Sequence, residues 1–241
     1  MKFFTRKRSE IIDKAALRSA LFIVSAFALF FSSSSLKAQT SVEGKESGIT
    51  ARSVFERLHS SALELLPVST RLDMLDYWDV DSIYKASNVM EGLSWLENVS
   101  ENFLKVRITN VSELEIKILP DKKSKIVMTV YTVGDEVQAQ DSEIVFYDEN
   151  LVELPLSKHL EMPQVKDFFE IPKGSDTKMK EIEEMIPFPT IAFSANAEND
   201  NLEARLTVEK YMNEDDWNIV KLFAKPSIQL EWKKEKYKYH K

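Results

Sequence analysis

Apolar residues in the first third of the chain recur at the spacing of an amphipathic helix. Six of them fall on one face between residues 51 and 66: Val54, Phe55, Leu58, Ala62, Leu65 and Leu66. Pro67 ends this stretch, because proline has no N–H to donate in a helix interior. A second stretch, about residues 70–78, brings Leu72, Leu75 and Trp78 to a common side. The pattern therefore predicts a helix pair.

The period changes to two after residue 100. Apolar and polar residues alternate in 103–109 and in 113–119, which is typical of half-buried strands. Residues 125–133 are apolar on both sides, as in a central strand, and residues 142–147 complete a set of four. The short connections favour antiparallel hairpins. Residues 79–100 are less regular and are expected to hold a short helix or strand.

A similar order recurs in the second half. Pro163 suits the first turn of a short helix, and a second helix follows Gly174 with an apolar stripe formed by Met179, Ile182, Met185 and Ile186. Four strands are then predicted, at residues 191–195, 202–208, 217–224 and 228–232. The basic tail, residues 233–241, has the alternation of an edge strand whose lysines deter aggregation.

This order predicts an α+β fold built from two tandem units, residues 51–150 and 151–241, at a spacing of about 85 residues. Each unit is a helix pair plus a four-stranded antiparallel sheet. Since an amphipathic sheet must cover its apolar face, the helices are expected to pack on one sheet face.

The N-terminus has the layout of a secretory signal peptide. A basic start precedes an apolar run at residues 20–31, and Ala38 offers a small residue just before Gln39. The run is about 12 residues long, whereas a membrane-spanning helix needs about 20. Residues 1–38 are therefore predicted to be cleaved, with a retained anchor as the alternative. Residues 39–50 are expected to form a flexible leader, and the mature protein to be periplasmic or secreted.

Charge and cysteine content narrow the class of protein. The formal net charge of the chain is −7, and removal of residues 1–38, which carry +5, makes it −12. Such a chain repels phosphate backbones and anionic headgroups, so nucleic-acid binding is not expected. The chain has no cysteine, which excludes disulfides, thiol catalysis and lipidation at an N-terminal cysteine. No stable membrane anchor is expected after signal cleavage.

Two clusters precede the first predicted strand. The carboxylates of Asp73, Asp76, Asp79 and Asp81 are weak candidates for a metal site, because hard cations need several converging oxygens. The alternative is a solvated helix face. The aromatic residues Tyr77, Trp78, Tyr84 and Trp95 are weak candidates for a ligand-binding groove, and they could equally fill the core.

Recognisable catalytic signatures are absent from the sequence. The three histidines, His59, His159 and His240, lie outside any His-Glu-x-x-His pattern, and there is no Gly-x-Ser-x-Gly elbow. No catalytic residue and no cofactor is predicted. An enzyme is the less favoured interpretation.

Two segments carry a family resemblance. Residues 71–77 (RLDMLDY) and 141–147 (DSEIVFY) resemble an uncharacterised, Bacteroidales-restricted family known as domain of unknown function 3256, over roughly residues 50–235. The resemblance implies a Gram-negative host and an envelope location. It brings no activity and no catalytic residues.

The leading hypothesis is an exported, non-catalytic envelope protein that binds a protein or a small ligand through a sheet face or a groove between the two units. One alternative is a periplasmic hydrolase acting on envelope carbohydrate or peptide. It requires a pocket in which carboxylates or a histidine converge with perturbed pKa values. The other alternative is a periplasmic carrier of an apolar ligand.

Overall fold

The computed structural model describes residues 48–80, 84–122, 124–135, 137–172 and 174–239. The predicted signal peptide and Asp81 lie outside these residues. The helices are α1 (Ala51–Arg57), α2 (Val68–Asp79), α3 (Leu156–His159), α4 (Asp176–Met185) and α5 (Glu214–Val220), with 3₁₀ turns at Ser61–Leu63, Val165–Phe168 and Val208–Lys210. The strands are β1 (Ala86–Ser87), β2 (Leu93–Val99), β3 (Phe103–Thr109), β4 (Ser112–Pro120), β5 (Lys125–Val133), β6 (Asp141–Tyr147), β7 (Glu153–Leu154), β8 (Ile191–Ala195), β9 (Leu202–Leu206), β10 (Ile228–Lys233) and β11 (Lys236–Tyr239).

The first helix is half as long as its apolar pattern predicts. It begins with a capping box in which Thr50 and Ser53 each bond the other's backbone N–H. It ends at Arg57, because Leu58 takes an extended conformation. The apolar residues beyond it still reach the core, Leu63 through a 3₁₀ turn and Leu66 through the following loop. Burial alone therefore does not reveal that the helix has ended.

The larger sheet contains β1 to β7 in chain order, and every neighbouring pair is antiparallel. The four strands predicted from the apolar pattern of residues 103–147, β3 to β6, are confirmed nearly to the residue. The weakly patterned region 79–100 adds β1 and β2, and β7 closes the opposite edge.

The smaller sheet has the order β11-β10-β9-β8. The strand predicted at residues 217–224 is wrong, since Glu214–Val220 forms helix α5. Asn213 caps it by accepting from the Asp216 N–H at 2.8 Å, and three acidic residues occupy its first turn, where the helix dipole favours them. The tail hairpin β10–β11 provides the fourth strand instead.

These sheets overturn the predicted fold class. A seven-stranded antiparallel meander and a separate four-stranded sheet replace two equal units of a helix pair plus four strands. The pattern located individual strands correctly. It did not show how many of them join one sheet, because that depends on the weakly patterned strands at the edges.

The larger sheet is covered on both faces. On one face α1, the Ser61–Leu63 turn and α2 pack against side chains of β3 and β4, including Leu104, Val106 and Ile116. On the opposite face Met128, Val130 and Phe146 form a common core with residues of the smaller sheet. The larger sheet is thus the central layer of the fold. No helix in the described ranges is long and apolar enough to cross a membrane.

Side chains of the larger sheet protect the edge strand of the smaller one. Strand β8 bonds β9 on one side, which leaves the N–H groups of Ile191, Phe193 and Ala195 pointing the other way. All three find side-chain acceptors: Asp141 at 3.1 Å, the Ser142 hydroxyl at 2.9 Å and Glu115 at 2.7 Å. An edge that would otherwise invite pairing with another chain is closed.

Candidate functional site

The aspartates singled out in the sequence do not converge. Asp73, Asp76 and Asp79 are exposed on α2, and Asp79 pairs with Arg52 at 2.6 Å. The hydrogen bond from Arg52 lowers the pKa of Asp79. No group of three or more potential metal ligands occurs among the described residues. Asp81 lies outside them, so a site that includes it stays a prediction.

The four aromatic candidates lie in different surroundings. Tyr77 is exposed and stacks on Tyr84, with ring centroids 4.3 Å apart. Trp78 and Tyr84 also pack against the core beneath the helices. Trp95 lies on the opposite face of the sheet, in register with Arg107, under the ammonium group of Lys85 at 4.8 Å. None of the four lines any of the three cavities described below.

The most unusual side chain near the helix pair is Arg71. It lies on the buried face of α2 and is only 3% exposed. Its Nη1 donates to the backbone carbonyls of Phe55 and Leu58, the latter at 3.0 Å. These carbonyls lie at the C-terminal end of α1, where a cation complements the helix dipole. The guanidinium carbon also lies 5.8 Å from the centroid of the Phe55 ring.

A cavity of about 500 Å³ adjoins this arginine. Its wall is the segment that connects α1 to α2, and the chemistry-bearing residues in the lining are His59, Ser60, Ser61, Glu64 and Arg71. The segment turns here because α1 ends at Arg57 and Pro67 precedes α2. We call this space the Arg71 cavity.

A second cavity, of about 350 Å³, shares His59, Ser60 and Ser61 with the Arg71 cavity. The rest of its lining comes mainly from β5, β6 and β7 and includes Tyr131, Tyr147, Glu143 and Glu153. Burial raises the pKa of the Tyr147 phenol, and the two carboxylates add to the effect. One short connecting segment therefore separates the Arg71 cavity, whose lining holds both Arg71 and the carboxylate of Glu64, from an acidic cavity.

The third cavity, of about 370 Å³, lies elsewhere, between the Val165–Phe168 turn, α4 and the C-terminal strand. Apolar side chains such as Phe169, Ile171 and Met179 form part of its wall. Lys225 lies there with its Nζ bonded to the Asp167 carbonyl at 3.0 Å and the Tyr239 hydroxyl at 2.8 Å.

A buried charge network occupies the junction between the sheets. Glu115 is 3% exposed and accepts from Lys105 at 3.1 Å and the Ala195 N–H at 2.7 Å. Burial raises its pKa, although Lys105 and the amide oppose the shift. The neighbouring Lys117 donates to the Asn196 carbonyl at 2.9 Å. These groups bind partners within the fold and line none of the three cavities, so their arrangement joins the layers.

Comparison with known proteins identifies the family. The profile of the family described as "Protein of unknown function (DUF3256)" matches residues 46–237. The chain belongs to this family. Its restriction to Bacteroidales stays a prediction.

A solved structure shares the fold. It is described as "Structure of a domain of an uncharacterized protein from Porphyromonas gingivalis W83" and is 22% identical to this DUF3256 protein, with a TM-score of 0.66. The match covers 78% of this chain and 96% of that one. At this identity the likeness concerns the fold alone. Comparison with curated proteins gives no match.

The apolar pattern did not single out Arg71 as a functional residue. It assigned Leu72, Leu75 and Trp78 to the buried side of α2, but Leu72 is 43% exposed and the buried positions are Arg71, Met74 and Leu75. Arg71 precedes the buried pair Met74 and Leu75 by three and four positions, which is the spacing of one helix face. A charged residue on that face was the available signal.

Proposed function

We propose that this DUF3256 protein is a non-catalytic binding protein that holds a small ligand in the Arg71 cavity. The observation that carries the proposal is a buried guanidinium that lines an open cavity of about 500 Å³ and binds no carboxylate of the described chain. Ligand sites are typically concave and combine apolar walls with a few placed polar groups. The serines, the histidine and Arg71 provide such groups, and Leu63, Leu66 and Val68 provide apolar wall.

The test is native mass spectrometry of the protein purified from its host. The wild type is expected to carry a ligand of reproducible mass. Val68→Trp, which fills the cavity from an exposed position that the acidic cavity does not share, is expected to lose it. Val152→Trp is the matched control, because Val152 is also exposed but lines none of the three cavities. A wild-type protein of clean apo mass, or equal retention by both variants, would contradict the proposal.

The hydrolase alternative has weaker support. It needs a cavity where a carboxylate or histidine with a shifted pKa meets substrate. The acidic cavity does contain His59, Glu143 and Glu153. However, the glutamates of the described ranges whose pKa is raised, Glu115 and Glu235, line none of the three cavities. Turnover of an envelope glycan or peptide that is lost in Glu143→Gln or Glu153→Gln would favour the hydrolase.

The proposal includes export to the cell envelope, which rests on the sequence of residues 1–38. N-terminal sequencing of the mature protein from a fractionated host tests it. The expected first residue is about Gln39, in the periplasmic or secreted fraction. An intact N-terminus in the cytoplasmic fraction would reject export and leave the ligand proposal standing.

A further inference from the structure

We infer that the ligand of the Arg71 cavity presents an oxyanion, a carboxylate or a phosphate-like group, to the guanidinium of Arg71. This inference rests on the proposed binding function and names the chemistry that the cavity recognises. It goes beyond that proposal, because a cavity of this kind could also hold a neutral polar ligand.

The Arg71 guanidinium has hydrogen-bonding capacity that the fold does not use. It has five N–H groups. Nη1 donates to the carbonyls of Phe55 and Leu58. Nε is buried without a partner among the described residues, and no bond from Nη2 to those residues is formed. The Nη1 group of the guanidinium is therefore bonded within the fold, whereas the edge formed by Nε and Nη2 is not.

The unused edge has the donor geometry that oxyanions need, although Nε itself is buried, so a bidentate oxyanion must displace the atoms that cover it. Nε and Nη2 lie on the same side of the planar group and donate in parallel. Carboxylates and phosphates accept such a pair in a bidentate arrangement, which is stronger and more specific than a single hydrogen bond. Backbone carbonyls already hold the guanidinium in place, so little side-chain entropy remains to be lost on binding.

The charge of Arg71 also favours an anionic ligand. Arg52 pairs with Asp79, and Arg107 pairs with Glu97 and Glu113, whereas no ion pair of Arg71 occurs within the described part of the chain. Burial lowers the pKa of Arg71, but an arginine of ordinary pKa above 12 keeps its charge at neutral pH. A buried cation without a counter-charge is destabilising, and an incoming anion would relieve that cost.

Other residues that line the Arg71 cavity both favour and oppose the binding of an anion. Ser60 and Ser61 bring hydroxyl groups that can donate to an oxyanion. Glu64 lines the same cavity with an exposed carboxylate, and like charge weakens anion binding. Glu64 therefore provides a test that leaves Arg71 and its packing intact.

The experiment titrates the isotope-labelled protein with inorganic phosphate, sulfate or acetate at constant ionic strength, followed by NMR. Saturable shifts are expected at the Arg71 Nε–H and at the amides of Ser60 and Ser61. Arg71→Lys keeps the charge but loses the fork and should weaken binding roughly tenfold. Arg57→Lys is the matched control: Arg57 lies in α1, is exposed and does not line the cavity. Glu64→Gln should strengthen binding about twofold or more.

Two outcomes would overturn the inference. One is the absence of saturable shifts at these groups with all three anions. The other is unchanged affinity in Arg71→Lys or, if that variant does not fold, in Glu64→Gln. If native mass spectrometry still shows a bound ligand alongside either outcome, the oxyanion inference is rejected and the proposed binding function stands. Preference for acetate over phosphate, or the reverse, identifies the class of group.

Discussion

At the scale of single residues, the polar groups buried in this protein differ in how well they are satisfied. Glu115 accepts three hydrogen bonds, from Lys105, Ser194 and the Ala195 N–H. The Tyr237 hydroxyl is buried without any partner in the described chain, and burial raises the pKa of this phenol. Buried groups that lack a partner destabilise the fold, whereas satisfied groups give a modest net gain. Removing an unsatisfied buried group should therefore raise the free energy of unfolding, whereas removing a satisfied one should lower it.

The clearest case is Tyr237→Phe. Removing an unpaired buried hydroxyl should raise the free energy of unfolding by about 1 kcal/mol. Tyr239→Phe is the control, since the Tyr239 hydroxyl accepts from Lys225 at 2.8 Å, and its removal should lower that free energy by about 1 kcal/mol. Urea unfolding measures both. Destabilisation of similar size in the two variants would mean that Tyr237 has a partner in solution.

Glu115 should make stability depend on pH. Because burial raises its pKa, the folded protein holds this proton more tightly than the unfolded chain does. The stabilising contribution is full below the ordinary carboxyl pKa and is lost as pH rises through the folded pKa. Glu115→Gln stays neutral, so its stability relative to wild type should increase with pH across that window. Urea unfolding between about pH 4 and 8 measures this, and a constant difference would contradict it.

At the scale of elements, local capping determines whether a segment becomes a helix. Side chains of the larger sheet bind the N–H groups at the edge of the smaller sheet. Asn213 and the acidic first turn start α5 within a segment whose apolar content favours a strand. Strand β8 could pair with another chain, but each outward N–H is bound by a side chain from the larger sheet. These contacts join the two sheets without a continuous ladder.

Individual edge contacts can be tested by hydrogen exchange. In Ser142→Ala the Phe193 amide loses its acceptor, so its exchange should become roughly fivefold faster, consistent with a bond of about 1 kcal/mol. The Ala195 amide, which is bound by Glu115, should keep its protection. Glu115→Ala should produce the converse pattern. Equal loss at both amides in either variant would show that β8 opens as one unit.

At the scale of the whole molecule, the core crosses the predicted boundary between the two units. Phe103, Met128 and Phe146 from the first unit form one cluster with Phe193 and Leu230 from the second. The central sheet therefore depends on the second half of the chain to cover one face. A layer that exposes such a face is not stable in water.

Separation at residue 150 tests this dependence. Fragments 51–150 and 151–241 are expected to lack cooperative unfolding and dispersed NMR signals when alone, because each exposes its side of the shared core. Mixing them should restore both properties. A cooperatively folding 51–150 fragment would instead support the two-unit organisation.

The candidate site was only partly accessible from the sequence. The apolar pattern located β3 to β6: apolar and polar residues alternate along β3, whereas β5 is apolar on both sides, as in a central strand. The Arg71 cavity left a weaker trace, a charged residue on the buried face of α2. Its significance depends on the carbonyls of Phe55 and Leu58, which lie 16 and 13 positions away. Contacts at such separation have no sequence period.

The sequence by itself determined the local properties of this protein: most of its strands, its second helix, its family, its acidic charge and the lack of cysteine. Each depends on neighbouring residues or on composition. The tertiary structure decided that seven strands share one sheet, that α1 stops at Arg57 and that Arg71 lies beside a cavity without a carboxylate partner in the described chain. These features depend on which surfaces meet in the folded chain. The side chains that bury those surfaces and satisfy their polar groups are distant from one another in sequence.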